Sequence, residues 1–271
     1  MTREGLDLMT DGEWVWADKT SLGGDNCIAV AMILAILSDD TLVHPPIEAV
    51  FTVDEEVGMD GAFALDCSDL KGRRLLNLDS EMEGVFTVSC AGGMRSDCFF
   101  PAALTPAEGM DVCKLTISGL QGGHSGADIH LGRGSANRLM GRVLCAALEK
   151  FPGLRLAAID GGEFDNVICS CCEAAAALPA GNGQAFAAFA RELDAALKNE
   201  YAVTDPGVAL ECVPSSADRA VSPERTAVLL RALAVLPHGV EAMDTDFPGL
   251  VQTSLNMGVV QLDDLREDMF K

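Results

Sequence analysis

An apolar run that ends abruptly in acidic residues is the feature that most constrains this chain. The segment Phe51–Glu56 has the sequence Phe-Thr-Val-Asp-Glu-Glu, so a β-type stretch leads directly into three adjacent carboxylates. Charge at the end of a buried strand is costly unless a partner offsets the lost hydration, and a metal ion is the strongest such partner. The segment therefore indicates a strand that delivers acidic side chains to a functional site.

Two further carboxylates occupy similar positions. Asp79 follows the short apolar run Arg74–Leu78, and Asp25 precedes Ile28–Leu37, which is apolar on every face and predicts a buried helix. In open α/β sheets, ligands bind beyond the carboxyl ends of strands and at helix N-termini. We therefore expect Asp25, Asp79 and the carboxylates of Asp54–Glu56 to meet there. Together they offer oxygen ligands for a cation, and a spare carboxylate to act as a base on water.

Each acidic residue also has an ordinary structural explanation. An Asp before a helix commonly caps it, which would account for Asp25, and a Glu pair after a strand commonly lies in a solvated turn. Asp79 could belong to a charged loop with Glu81 and Glu83. The coincidence of three such positions favours the functional interpretation.

Length, charge and cysteine content narrow the class of protein. The 271 residues suffice for one large core or two moderate ones, and we find neither a signal segment at Met1 nor an apolar run of transmembrane length. A net charge of −22 would repel nucleic-acid phosphates and anionic lipid. The 10 cysteines are irregularly spaced and predict reduced thiols. We therefore expect a cytoplasmic enzyme that binds neither nucleic acid nor membrane.

A glycine-rich loop stands out in the second half of the chain. The segment Gly122–His130 has the sequence Gly-Gly-His-Ser-Gly-Ala-Asp-Ile-His. Such glycine density lets the backbone approach a ligand closely and places His124 at a turn. Local composition leaves open the alternative of a plain surface loop with solvated histidines.

Three cysteines, Cys169, Cys171 and Cys172, lie close enough in the sequence to raise the question of a metal site. No second Cys or His pair at zinc-finger spacing accompanies them, and the surrounding segment is apolar. We therefore expect them to act as small hydrophobic residues.

The pattern of apolar runs changes near Gly92–Gly93 and predicts two regions of an α/β protein. Residues 1–93 are expected to form part of a mostly parallel sheet, and residues 94–271 an α+β layer with a helix-backed antiparallel sheet. The first region is predicted to contain helix Ile28–Leu37 and strands Ile47–Val53, Arg74–Leu78 and Val85–Ser89. The second is predicted to contain strands Cys113–Ser118, Leu154–Ile159, Asn166–Leu178, Val208–Val213 and a final pair around Val251–Leu262, with helices Ser135–Lys150, Gly183–Glu200 and Pro223–Leu236.

Several motifs, taken in order along the chain, resemble one known family. They are Gly-Asp-Asn at 24–26, Thr-Val-Asp-Glu-Glu-Val-Gly-Met-Asp-Gly-Ala at 52–62, Asn-Leu-Asp-Ser-Glu at 77–81, Cys-Ala-Gly-Gly at 90–93, and the glycine-rich loop. This sequence resembles the aminoacyl-histidine dipeptidases, also called Xaa-His or cytosolic non-specific dipeptidases. These enzymes belong to the two-zinc aminoacylase and carboxypeptidase-like peptidases. The resemblance extends through Pro248–Asn256 and covers essentially the whole chain.

The resemblance implies hydrolysis of dipeptides, of the Xaa-His type or more broadly, at a pair of zinc ions. By position, Asp25 would bridge the two metals, Glu56 and Asp79 would be terminal ligands, and Glu55 would be the general base on a metal-bridged water. Carboxylate-rich sites of this kind also accept manganese or cobalt.

The resemblance also implies a division of labour between the two regions. Residues 1–93 would form a partial metal-binding catalytic domain, and residues 94–271 a truncated lid and dimerisation domain through which two copies pair. His124 and Asn166 in the lid would bind the carboxylate end of the dipeptide substrate or its developing oxyanion.

The family pattern includes a His-x-Asp motif on an earlier strand and a second histidine ligand late in the chain, and we find no counterpart of either. The sequence is therefore interpreted as a central fragment of a two-domain dipeptidase, expected to be inactive alone. Two alternatives stay open. One is a non-catalytic lid or assembly module that pairs with a related subunit, and the other is a two-metal peptidase or acylase that differs in its lid.

Overall fold

The computed structural model describes residues 5–20, 22, 26–55, 58–79, 84–263 and 269–270. Backbone contacts divide the chain into two compact units, Met1–Ser89 (unit 1) and Cys90–Lys271 (unit 2). Within the described residues, no helix combines the length and apolar character needed to cross a membrane.

Unit 1 contains a short hairpin and one long helix. Its elements are β1 (Leu8–Thr10), β2 (Val15–Ala17), α1 (Cys27–Ser38) and α2 (Asp60–Phe63). Strands β1 and β2 pair antiparallel. Helix α1 is capped by Asn26, whose side-chain oxygen accepts the Ala29 N–H at 3.0 Å. This bond satisfies one of the free N–H groups of the first helical turn.

The predicted parallel sheet does not form within the described part of unit 1. The segments Ile47–Val53, Arg74–Leu78 and Val85–Ser89 were expected to be strands, and they have no strand pairing. Their apolar side chains are exposed, as Leu75 at 89% and Phe86 at 90% show. A strand is stabilised by backbone pairing with a neighbour and by burial of at least one face, and both are missing here. The strand predictions for these segments are wrong.

Helix α1 is confirmed as a helix, but the expectation that it is buried is wrong. Ala29 is its one buried residue, whereas Ile28, Met32 and Leu34 are 62%, 52% and 53% exposed. Good helix-forming residues and a cap suffice to form a helix locally. Burial depends on what packs against the helix, and no described part of unit 1 covers these side chains.

Unit 2 is built on a seven-stranded antiparallel sheet. The strands of the unit are β3 (Phe100–Pro101), β4 (Leu104–Pro106), β5 (Asp111–Ser118), β6 (Arg155–Gly161), β7 (Cys172–Leu178), β8 (Ala209–Ser215), β9 (Arg219–Val221), β10 (Gly239–Met243), β11 (Val251–Leu255), β12 (Val260–Asp263) and β13 (Met269–Phe270). The helices are α3 (Ala136–Lys150), α4 (Gly183–Glu200) and α5 (Pro223–Val235), with a 3-10 turn at Ile129–Leu131. The sheet order is β3-β13-β12-β6-β7-β5-β8, while β4 pairs with β9 and β10 with β11.

The three helices of unit 2 and its sheet share one hydrophobic core. Helix α3 buries Leu139, Val143 and Leu144 at the spacing of one helical face. Strand β5 alternates, so Leu115 and Ile117 belong to the same core and are fully buried. The helix-backed antiparallel sheet expected for this region is the observed arrangement.

Two strand predictions in unit 2 need correction. The predicted strand Asn166–Leu178 begins only at Cys172, because residues 166–171 form the loop that leads into β7. The predicted final pair around Val251–Leu262 forms two strands that do not pair with each other. Instead β11 pairs with β10, and β12 pairs with β6 and β13. The pairing of β12 with β6 joins residues about 100 positions apart, and local apolar patterns do not specify which strands pair.

Arg155 on β6 ties the small β4–β9 ribbon to the main sheet. It is 9% exposed, and its guanidinium donates to the carbonyl oxygens of Val221, Pro106 and Thr105 at 2.9, 2.8 and 2.9 Å. Burial lowers the pKa of this guanidinium because the charged form loses hydration. The carbonyl bonds offset that cost and fix the ribbon in place.

Replacing Arg155 with Met is expected to lower the free energy of unfolding by about 3 kcal/mol, because several buried carbonyl groups lose their donor at once. Urea denaturation monitored by circular dichroism measures the change. Arg191→Met, at an exposed position on α4, serves as the matched control. Equal denaturation midpoints for the two variants would contradict the stabilising role assigned to Arg155.

Candidate functional site

The glycine-rich loop is joined to the segment around Asn166 by backbone hydrogen bonds. Ser125 N–H donates to the Asn166 carbonyl and Ile168 N–H to the Gly123 carbonyl, both at 2.8 Å. His124 and Val167 form an isolated antiparallel bridge. The segments that carry His124 and Asn166, the two residues predicted to bind substrate in unit 2, therefore lie side by side, and both residues are exposed.

The His124 ring is held by its own loop. Its Nδ1 atom accepts the N–H groups of Gly126 at 3.0 Å and Ala127 at 3.1 Å. A neutral imidazole that accepts at Nδ1 carries its proton on Nε2, so the ring offers an N–H donor to a carboxylate or an oxyanion. Gly126 is required for this contact, since a Cβ there would lie 3.1 Å from the ring.

Two further side chains support the loop, and the sequence analysis did not assign them. The Asp128 carboxylate accepts the His124 backbone N–H at 2.9 Å and pairs with Arg133 at 3.5 Å. Arg133 also donates to the Gly122 carbonyl at 2.7 Å. Gly123 lies against both groups with φ of +130°, and a Cβ there would come within 2.5 Å of each side chain. Both charged residues lie in or beside the glycine-rich motif, and this position was the signal in the sequence that could have identified them.

Asn256 supports the Asn166 segment from the other side. Its side-chain amide donates to the Asp165 carbonyl at 2.7 Å and the Val167 carbonyl at 2.9 Å. These two carbonyls flank Asn166 in the chain. Asn256 ends the motif Pro248–Asn256 that carried the family resemblance, so the sequence marked the residue without indicating its contacts.

The residues predicted to bind metal lie in unit 1, and the structure describes only some of them. Asp25 and Glu56 lie outside the described residues. Glu55 is exposed in a turn, where its carbonyl accepts the N–H groups of Gly58 at 3.3 Å and Met59 at 3.1 Å. Asp79 is exposed, and its N–H donates to the Asn77 side chain at 3.1 Å.

One hydrogen bond connects the chain positions next to two predicted ligands. The Asn26 side-chain amide donates to the Leu78 carbonyl at 2.6 Å. Asn26 follows Asp25 in the sequence, and Leu78 precedes Asp79. The start of helix α1 is thus tied to the segment that carries Asp79, and the cap of that helix is Asn26.

Comparison with known proteins agrees with the motifs. Residues 115–205 match the peptidase dimerisation domain. The chain is 38% identical over 266 residues to the cytosol non-specific dipeptidase of Escherichia coli (strain K12), an alignment that covers 97% of this chain and 54% of that protein. It matches the crystal structure of the aminoacylhistidine dipeptidase from Vibrio alginolyticus with a TM-score of 0.70 and 34% identity, over 99% of this chain and 55% of that one.

The chain is a relative of the aminoacyl-histidine dipeptidases. The resemblance found in the sequence is confirmed. The chain spans about half the length of both relatives, 54% and 55%. The peptidase dimerisation match lies entirely within unit 2.

The donor chemistry of unit 1 fits a divalent cation. Asp25, Glu56 and Asp79 supply carboxylate oxygens, which zinc, manganese and cobalt all accept. Among the described residues, no group of three or more His, Cys, Asp or Glu side chains gathers around a common point. Since Asp25 and Glu56 are outside those residues, the roles of the set in this dipeptidase relative stay predictions.

The cysteine cluster of unit 2 is part of the hydrophobic core. Cys169 and Cys172 are 3% and 0% exposed and pack among core residues, whereas Cys171 is exposed. Burial raises the pKa of the Cys169 and Cys172 thiols, because a thiolate would lose its hydration. The expectation that these residues act as small hydrophobic side chains holds for Cys169 and Cys172.

Proposed function

We propose that the protein takes part in metal-dependent hydrolysis of dipeptides, with Xaa-His dipeptides among its substrates. The observation that carries the proposal is the bonding of the His124 loop to the Asn166 segment. The two paired segments carry an imidazole N–H donor and a side-chain amide, which are groups that can bind a carboxylate or an oxyanion. The similarity to dipeptidases over 97% of the chain supports the same function.

In this proposal the acidic residues of unit 1 hold the metal ions. Asp25 would be the ligand shared by two zinc ions, and Glu56 and Asp79 would be the terminal ligands; manganese or cobalt would suit the same oxygens. The hydrogen bond between Asn26 and the Leu78 carbonyl, at 2.6 Å, supports a shared location for Asp25 and Asp79. When bound, the two cations would lower the pKa of a water molecule and polarise the peptide carbonyl.

Glu55 is the general base of the proposed reaction. Its carboxylate takes a proton from the attacking water and then delivers it to the leaving amine. His124, through Nε2–H, and Asn166, through its amide, hold the carboxylate end of the dipeptide or the negative charge that develops on the carbonyl oxygen. Asp128, Arg133 and Asn256 keep these two donors in position.

In any form of the protein that hydrolyses dipeptides, replacing His124 with Ala is expected to lower kcat about 100- to 1,000-fold, the usual effect of losing one oxyanion donor. Zinc stoichiometry should stay unchanged, because His124 is not assigned as a ligand. Kinetics on an Xaa-His dipeptide and metal analysis of the same preparations test both statements. Ser125→Ala, which alters the neighbouring side chain and leaves the imidazole, is the matched control. A His124 variant that loses metal in proportion to activity would make His124 a ligand instead.

A substrate panel separates this proposal from another two-metal peptidase or acylase. Dipeptides ending in histidine, other dipeptides, tripeptides and N-acyl amino acids are assayed at equal concentration. In any form of the protein that shows hydrolysis, we expect dipeptides to be hydrolysed fastest. Preference for a tripeptide or an N-acyl amino acid would instead favour the alternative, a two-metal peptidase or acylase that differs in its lid.

A non-catalytic assembly module is the second candidate function, and the match of residues 115–205 to the peptidase dimerisation domain favours it. Either function is compatible with pairing of two copies through unit 2, which we also propose. Analytical ultracentrifugation reports the pairing, and the dipeptide assay reports the catalysis. A cytoplasmic location is proposed from the description of the Escherichia coli relative as a cytosol enzyme.

A further inference from the structure

Unit 2 contains a cavity whose lining residues do not include His124 or Asn166. Its volume is about 570 Å³, and it opens between the start of helix α3 and the start of strand β10. This size suits a small molecule. The cavity is lined by His130, Arg133, Ser135, Arg138, Arg142 and His238, among others. All six side chains can donate hydrogen bonds, and three are guanidinium groups, in a chain whose net charge is −22.

Arg138 supplies the uncompensated positive charge of this cavity. One of its N–H groups donates to the Leu236 carbonyl, and no carboxylate pairs with it within the described residues. The other two guanidinium groups are neutralised. Arg133 pairs with Asp128 at 3.5 Å, and Arg142 with Glu200 at 2.8 Å. The hydrogen bond from Arg142 lowers the pKa of Glu200, which keeps that carboxylate ionised.

Ser135 has a hydroxyl group without a partner. It is the N-cap residue of α3, yet its side chain makes no cap bond, and its oxygen is buried with no hydrogen bond to any group. The residue is 2% exposed and lines the cavity. A buried hydroxyl that lacks a partner is unfavourable, so a ligand that accepts from Ser135 would recover that free energy. The N-terminus of this helix adds a partial positive charge at the same place.

His238 contributes a donor of fixed direction. Its Nδ1 atom accepts the Met257 N–H at 3.1 Å, so the neutral ring carries its proton on Nε2. Burial, together with the nearby charge of Arg138, lowers the pKa of His238 and keeps the ring neutral at neutral pH. His238 therefore acts as a neutral donor beside a charged one.

We propose that this cavity binds the phosphate group of a small molecule. The cavity is lined by a guanidinium and a hydroxyl from the start of helix α3 and by an imidazole from the segment before β10, so two parts of the fold supply donors to it. A flat carboxylate has only two oxygens to meet them, whereas a tetrahedral phosphate dianion has oxygens facing each side and a larger charge for Arg138. Of the residues proposed to act in hydrolysis or to support its groups, Arg133, which supports the His124 loop, is the one that also lines this cavity.

Isothermal titration of the protein with inorganic phosphate, at constant ionic strength, tests the proposal. Arg138→Gln is expected to weaken phosphate binding at least about tenfold, and Ser135→Ala about threefold, through loss of a charged and a neutral donor. Arg225→Gln, at an exposed site near the start of α5, is the control and should bind like the parent. Circular dichroism melting of each variant confirms folding. Arg133 is left unchanged because of its second role.

Parallel titrations with succinate and glycerol phosphate define the ligand class. We expect glycerol phosphate to bind at least as well as inorganic phosphate, and succinate to bind at least about tenfold more weakly. Absence of phosphate binding to the parent protein, equal binding by Arg138→Gln, or binding of succinate as tight as that of phosphate would each overturn the proposal. Dipeptide hydrolysis is not part of this measurement, so its result is independent of the proposed function.

Discussion

Replacing Glu55 with Gln is expected to lower the rate of dipeptide hydrolysis by about 100- to 10,000-fold, in any form of the protein that shows this activity. The amide has nearly the same shape as the carboxylate but cannot take a proton from water. Because the metal ligands are assigned to other residues, zinc content should not change. Measuring kcat and zinc content on the same samples tests the two halves of the prediction together.

Asp54→Asn is the matched control for this experiment. Asp54 is the neighbouring carboxylate, and it lies in the left-handed region with φ of 58°, a conformation that Asn tolerates well. The control therefore removes one negative charge at the same turn without backbone strain, and should leave hydrolysis nearly normal. Near-normal hydrolysis by Glu55→Gln with full metal content would show that the roles within Glu55–Glu56 are assigned wrongly.

The 271 residues by themselves are expected to bind zinc weakly and to hydrolyse no Xaa-His dipeptide. Asp25, Glu56 and Asp79 are all oxygen ligands, so each metal would have one bridging and one terminal carboxylate, and both coordination spheres would stay open. Three carboxylates close together without firmly held cations also repel one another. Zinc should therefore be lost during gel filtration, and the dipeptide assay should give no signal above buffer.

The Escherichia coli cytosol non-specific dipeptidase, handled identically, is the positive control for zinc retention and turnover. Hydrolysis by the 271-residue chain that is abolished both by a chelator and by Asp25→Ala would overturn the prediction. It would mean that the chain provides its own nitrogen ligands. The sequence contains four histidines, His44, His124, His130 and His238, and one or more of them would then have to serve.

Local patterns in the sequence predicted the helices well. Helix α4 has the predicted bounds Gly183–Glu200, and α5 begins at Pro223 after the Ser222 cap, as the Ser-Pro-Glu signal indicates. Caps and helical periodicity act between residues a few positions apart, so the sequence window contains the interactions that decide the outcome. The three strand predictions in unit 1 were wrong for the opposite reason, because strand formation depends on a partner elsewhere in the chain.

The candidate site shows the same contrast between what local sequence predicts and what depends on distant parts of the chain. The sequence by itself supplied the candidate residues: the carboxylates of unit 1, His124 and Asn166 were all assigned from motifs and their order, and their roles stay predictions. Only the tertiary structure showed that the His124 loop pairs with the segment around Asn166 and that Asn256 bonds to that segment, because these contacts join parts of the chain that are distant in sequence. The bonds of His124 to Gly126, Ala127 and Asp128 are local, but their geometry depends on the loop conformation, which the motif alone does not specify.

The cavity at the start of α3 shows most clearly what could not be predicted from the sequence. Ser135 and Arg138 belong to an ordinary helix start, and His238 follows Pro237 in the sequence without a motif around it. Three features make them candidates for ligand binding: Ser135 makes no cap bond, Arg138 has no carboxylate partner among the described residues, and His238 has a defined tautomer. Each feature is a property of the surroundings of the side chain. A sequence determines the donors and acceptors a chain possesses and the helices it forms. Which of those groups meet, and which are left without a partner, is decided by the packing of elements distant in the chain.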